Sequence, residues 1–154
     1  LETLDGEPLL RARQEMCAID VRDHSLRRVD STPFPMDMDL LRPVVTAPCR
    51  RMKLKLGEEC LVYSYQVRTM DTDLNHHMNN TNYIRLILDA QPSSFWDRYR
   101  VQEFDVHYVN ESVEGEEIQV YCQTEAQEMA VQIKRGETTL VKAFLQLAQR
   151  EKSE

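Results

Sequence analysis

A chain of 154 residues with 19 basic and 26 acidic side chains carries a formal charge of −7, and its length can bury one substantial core. A hydrophobic share of 42%, a charged share of 29%, four Gly and six Pro exclude a wholly disordered or collagen-like chain. No apolar run approaches the ~18 residues of a membrane span, and the acidic balance argues against a dedicated nucleic-acid binder. Cys17, Cys49, Cys60 and Cys122 are widely spread and form no CxxC pair, so a structural zinc site is not expected and a reducing cytosol is the simpler setting. The opening residues carry Glu2, Asp5 and Glu7 without an early basic cluster, which does not read as a signal peptide. The start at Leu1 leads to the expectation of a trimmed terminus or a piece of a longer protein.

In chain order, residues 9–19 and 25–29 read as two strands joined at Arg22-Asp23-His24. Pro33, Pro35, Pro43 and Pro48 punctuate the stretch from 31 to 49, which reads as a surface connector because proline fixes φ and removes a donor. Regular signals begin at 50. Strands are predicted over 51–56 and, after Gly57-Glu58-Glu59, over 60–69, where Leu61, Tyr63, Tyr65 and Val67 alternate with Val62, Ser64, Gln66 and Arg68. A helix fits 80–90, with an Asn as N-cap, Pro92 marking its end, and Tyr83, Ile84, Leu86, Ile87 and Leu88 covering most of its circumference. Four further strands are predicted over 101–109, 117–125, 130–134 and 138–148. The order ββ-α-ββββ implies an α+β fold in which an antiparallel sheet wraps around one central hydrophobic helix.

The densest polar cluster is Asp71-Thr72-Asp73-Leu74-Asn75-His76-His77-Met78-Asn79-Asn80, between a strand end and the most apolar helix. A helix N-terminus offers unpaired N–H groups and a positive dipole end, which can polarise a carbonyl. Asp, Asn and His add a carboxylate, an amide and a group that titrates near neutral pH, a set suited to activating water. The competing reading is that Asp and Asn build turns and caps while the His side chains are solvated. His76 and His77 are neighbours in an extended turn and poor joint ligands, so no metal is expected. His24 and His107 have no pattern support and default to surface or satisfied strand positions.

The segment Asp73-Leu74-Asn75-His76-His77-Met78-Asn79-Asn80-Thr81-Asn82-Tyr83-Ile84, continuing to Ile87-Leu88-Asp89-Ala90, resembles the signature of acyl-ACP thioesterases, approximately D-x-N-x-H-V-N-N-x-x-Y-I. Met78 stands where Val is usual, and Leu86 where Trp is common. His107-Tyr108-Val109-Asn110-Glu111-Ser112, followed by Gly115-Glu116, resembles that family's Y-x-x-E strand end and acidic-Gly turn. Residues 50–149 follow the family's second hotdog domain in order. Residues 1–30, through Asp5-Gly6-Glu7, Ala12-Arg13-Gln14, Ala18-Ile19-Asp20 and Leu26-Arg27-Arg28, resemble the closing hairpin of its first hotdog, the remainder of which is expected to be absent from this chain.

The resemblance implies hydrolysis of fatty acyl-ACP to free fatty acid and holo-ACP, without metal or organic cofactor. It implies Asp73, Asn75, His77 and Glu111 as the catalytic set: His77 and Glu111 as the base system, Asp73 as an orienting or nucleophilic carboxylate, and Asn75 beside the thioester carbonyl. Asn79, Asn80 and Tyr83 are the expected substrate-binding positions. Ser112 occupies the place where a family Cys often follows the Glu, which argues against a thiol nucleophile. The implied partner is acyl carrier protein bearing a fatty acyl-phosphopantetheine, which is acidic, so the basic cluster Arg50, Arg51, Lys53 and Lys55 is a docking candidate; the alternative is an edge strand protected by its charges. A homodimer, or pairing with a missing N-terminal hotdog, and a bacterial cytoplasmic location are expected. Two other readings stay open: a hotdog acyl-CoA thioesterase, or an inactive hotdog fragment serving as a dimerisation or lipid-binding module.

Overall fold

A computed structural model describes residues 3–6, 9–15, 17–20, 22–23, 25–28, 31 and 52–150. The chain divides into two units, Leu1–Arg50 and Arg51–Glu154. In the first, strands β1 (Ala18–Ile19) and β2 (Leu26–Arg27) pair antiparallel, Ala18 with Arg27 and Ile19 with Leu26. The polar turn between them is tied by its own aspartates. Asp20 accepts from the Arg22 N–H at 2.9 Å and from the Arg27 guanidinium at 2.8 and 3.2 Å, and Asp23 accepts from the Ser25 N–H at 2.9 Å. The predicted strand over 9–19 is therefore confined to its last residues, because residues 9–15 are exposed and carry no ladder. His24 and most of the predicted connector lie outside the described residues.

The second unit is a five-stranded antiparallel sheet with strand order β3-β5-β6-β7-β4, formed by β3 (Leu61–Gln66), β4 (Tyr99–Tyr108), β5 (Glu117–Glu125), β6 (Glu128–Arg135) and β7 (Thr138–Gln149). Alternation decides which face is covered. Ile118 and Val120 on β5, Met129, Val131 and Ile133 on β6, and Val141, Ala143, Leu145 and Leu147 on β7 are all buried in one core. That core also takes in helix α1 (Asn80–Asp89) through Tyr83, Leu86 and Ile87. Each such side chain contributes about 1.5–3 kcal/mol on leaving water. The N-cap is Asn79, whose side chain accepts from the Thr81 N–H at 2.9 Å. Ile84 and Leu88 stay half-buried, so the helix is covered on one broad side.

Two differences from the sequence reading have physical causes. The segment 52–57 is not a strand. Its Leu56 N–H donates to Gln132 Oε1 at 2.8 Å and its carbonyl accepts from Lys134 Nζ at 3.1 Å, so side chains of β6 take the bonds a ladder would have used. One strand, not two, therefore precedes the helix in this unit. Secondly, a short helix α2 (Ser93–Trp96) follows Pro92, held by the Trp96 indole N–H donating to the Leu88 carbonyl at 3.1 Å and by Phe95 stacked edge-on to Trp96. No helix among the described residues is long and apolar enough to cross a membrane.

Candidate active site

Between β3 and α1 the backbone folds back on itself as a small hairpin. The Asn79 N–H donates to the Asp71 carbonyl at 2.8 Å, Thr72 bridges Met78, and the Asp73 N–H donates to the His77 carbonyl at 2.9 Å. At its tip the His76 N–H returns to the Asp73 carbonyl at 3.0 Å, and His76 sits at φ +64°, the left-handed region that few non-glycine residues occupy. Asp73 Oδ1 accepts from the Asn75 N–H at 2.8 Å, an Asx turn that fixes the approach to the tip. Asp73, Asn75 and His76 are exposed, and His77 is half-buried.

A second strand of contacts holds the segment after β4 against this hairpin. His77 bridges Val113, and the Met78 N–H donates to the Ser112 carbonyl at 2.8 Å. Ser112 is buried, its hydroxyl 2.6 Å from the Tyr83 hydroxyl and 3.6 Å from Met78 Sδ. The register brings Glu111 beside His77, with Nδ1 and Oε2 3.2 Å apart. The two groups lie within ion-pair distance, with no hydrogen bond between them. Side-chain exposures of 37% for His77 and 60% for Glu111 leave the pair open to water.

Outside the pair, Arg135 binds both oxygens of Glu116 at 2.6 and 2.7 Å and reaches the Glu111 carbonyl at 3.4 Å, while the Val113 N–H donates to Glu116 at 3.0 Å. Burial pushes the Glu116 carboxyl up, but the Arg135 bonds, the Val113 N–H and the Arg135 charge outweigh it and hold it below its ordinary value.

Of the four expected catalytic residues, the fold brings His77 and Glu111 into contact, whereas Asp73 and Asn75 share the turn beside them. Asn79 is the helix cap. Asn80 opens the helix, exposed, its carbonyl accepting from the Tyr108 hydroxyl at 3.2 Å. Tyr83 lies 2% exposed behind the turn, its hydroxyl taken by Ser112; burial raises its pKa, so it stays protonated. Lys53 and Lys55 are exposed, while Arg50 and Arg51 lie outside the described residues. Burial likewise pushes the Cys122 thiol up, away from the thiolate a nucleophile needs. Among the described residues no three His, Cys, Asp or Glu side chains converge to hold a metal. Asp71, assigned no role from the sequence, is the most connected polar residue of the site: it is 4% exposed and receives Tyr65, Arg68 and Arg85. No strand period announces it, because a 3-10 turn over Thr69–Asp71 follows β3 and breaks the alternation before Asp71.

Comparison with known proteins bears on the family and the fold. The model of the acyl-ACP thioesterase C-terminal domain matches residues 54–143, more than half of the chain. No curated protein matches it. Similar solved structures include an acyl-ACP thioesterase from Bacteroides thetaiotaomicron, at 21% identity and TM-score 0.66, covering 84% of this chain and 53% of that one. The 12:0-ACP thioesterase from Umbellularia californica is similar at 18% identity and TM-score 0.60, covering 66% and 40%. A thioesterase complexed with coenzyme A and Zn from Thermus thermophilus has 18% identity and TM-score 0.52, covering 60% and 80%. The chain thus spans about half or less of the two acyl-ACP enzymes, and at these identities the likeness is one of fold. With the family model matched across the helix, the turn and the central strands, the chain belongs to the acyl-ACP thioesterase C-terminal domain family, and its second unit has the hotdog fold.

Proposed function

We propose that the second unit carries the hydrolytic centre for a fatty acyl thioester borne by acyl carrier protein, releasing free fatty acid and holo-ACP. The observation that carries this reading is the His77–Glu111 pair, 3.2 Å apart, beside the N-terminus of α1 in a chain of this family. In this mechanism Glu111, beside Nδ1, orients the imidazole so that Nε2 meets a water. As the water oxygen bonds to the thioester carbon, its proton passes to Nε2, and Glu111 stabilises the imidazolium. The developing oxyanion meets the positive dipole end of α1 and the Asn75 carboxamide. Collapse breaks the C–S bond, and the proton on Nε2 goes to the departing thiolate. The Asx turn supports an orienting role for Asp73. Asn79, Asn80 and Tyr83 serve the substrate through the helix terminus that they cap, open and support. Exposed Lys53 and Lys55, with Arg50 and Arg51 before them, suit an acidic carrier protein.

On the same reading residues 1–30 are the closing hairpin of a first hotdog, 31–49 a connector and 50–149 the catalytic hotdog, paired with another hotdog along a sheet edge. A panel of acyl-ACPs beside the matching acyl-CoAs tests the proposal. Faster release of free thiol from the ACP substrates is the expected result. Preference for the CoA esters would assign the site to an acyl-CoA thioesterase, and no turnover from folded protein would overturn the hydrolytic reading of this chain.

A further inference from the structure

A carboxylate that is 4% exposed is costly unless its oxygens are bonded. Asp71 meets that need fully. Oδ2 accepts from the Tyr65 hydroxyl at 2.7 Å and from the Arg68 N–H at 2.8 Å, and Oδ1 accepts from Arg85 at 3.1 Å. Its carbonyl is also occupied twice, by the Asn79 N–H at 2.8 Å and the Asn82 carboxamide at 3.0 Å. One residue thereby joins the end of β3, the start of α1 and its second turn. It stands at the open end of the hairpin whose next rungs are Thr72 with Met78 and Asp73 with His77. Met78 is in turn bonded to Ser112, the neighbour of Glu111. Any shift of Asp71 passes along two rungs to His77, whereas the Glu111 carbonyl is also tied to Arg135, which lies outside the hairpin.

We propose that Asp71 is a positioning residue that sets His77 against Glu111, acting through the hairpin and without touching substrate. This rests on the reading of His77 and Glu111 as the base system for its kinetic consequence, but not for its structural one. Arg85, on the exposed side of the helix, completes the anchor: its guanidinium bonds both Asp71 and the Tyr65 hydroxyl, at 3.1 and 3.0 Å. Its own pKa is raised, chiefly by the Tyr65 hydrogen bond, so the charge opposite Asp71 persists.

Asp71→Asn tests this, since it replaces one acceptor oxygen by an NH2 group facing donors while keeping the shape. Expected are a kcat lower by about 10–100-fold, the scale of a small misplacement of a catalytic group, and a KM within about twofold. The readout that simple destabilisation would not move is the ring nitrogen spectrum of His77. In the native protein it should differ from that of Glu111→Gln, reporting the nearby carboxylate; in Asp71→Asn it should shift to match that of Glu111→Gln. A His77 spectrum in folded Asp71→Asn that superposes on the native one overturns the proposal. If that variant does not fold, Arg85→Glu takes its place, with Arg85→Lys as the rescue. The native His77 spectrum should be lost in the first and kept in the second, and its retention in Arg85→Glu would overturn the proposal equally. Because the spectrum needs no substrate, a protein inactive on every thioester would defeat the functional reading and leave this test standing.

Discussion

The central strands β5, β6 and β7 and the hairpin at 71–79 are held by opposite physics. In the strands, Val120, Val131, Ile133, Ala143, Leu145 and Leu147 are almost wholly out of water, and α1 closes over them with Leu86 and Ile87. In the hairpin, Asp73, Leu74, Asn75 and His76 are exposed, and order comes from backbone bonds, an Asx turn and one buried carboxylate. Individual bonds of that kind contribute only about 0.5–1.5 kcal/mol net. The body can therefore lose much before it unfolds, while the hairpin can lose its geometry with little change in global stability. The proposed reactive pair sits where placement, not burial, is decisive.

Changes in either region should separate along this line. Ile87→Ala empties a fully buried position and should cost about 2–5 kcal/mol in denaturant unfolding, with turnover per folded molecule nearly unchanged; a comparable loss of kcat would join the two regions. Asn75→Ala should do the reverse, lowering kcat by about 10²-fold as for other carbonyl-polarising donors, with the unfolding midpoint within a degree or two. Asn79→Ala lies on the boundary. It removes the cap on Thr81 and should cost about 1 kcal/mol, read as a lower Tm, together with a modest loss of activity.

The smallest effect is one of pH. Glu116 has a folded pKa below its ordinary value of 4.5. Its ionised form is thus favoured by folding, and the associated stability is present above about pH 4.5 and lost as pH falls through the folded value. Glu116→Gln should flatten the acid limb of the stability profile. A steeper limb would mean that the Arg135 contact does not hold.

Much of the body was legible because burial writes a period into the sequence. The alternation in 138–148 and the apolar run in 80–90 each have a single geometric reading once a covered face is required. Residues 51–56 misled for the converse reason: Leu56 is buried and alternates with lysines, yet its backbone partners are Gln132 and Lys134, side chains that no local pattern announces. The site was legible in part. His77 and Glu111, which the fold brings within 3.2 Å, were proposed through a resemblance spanning two distant segments, and neither stands out by composition. Asp71 and Asp73 are two identical letters two positions apart, and only the register that turns one inward, onto Tyr65 and Arg85, separates an anchor from an exposed turn residue.

The measurement closest to the central claim is single-turnover release of free thiol from an acyl-ACP by His77→Ala beside the native protein, with matched unfolding curves. Loss of at least about 10²-fold in the chemical step, as expected on removal of a general base, with folding intact, is the predicted result. An unchanged rate in the folded variant would contradict the assignment of His77 and Glu111 as the reactive pair.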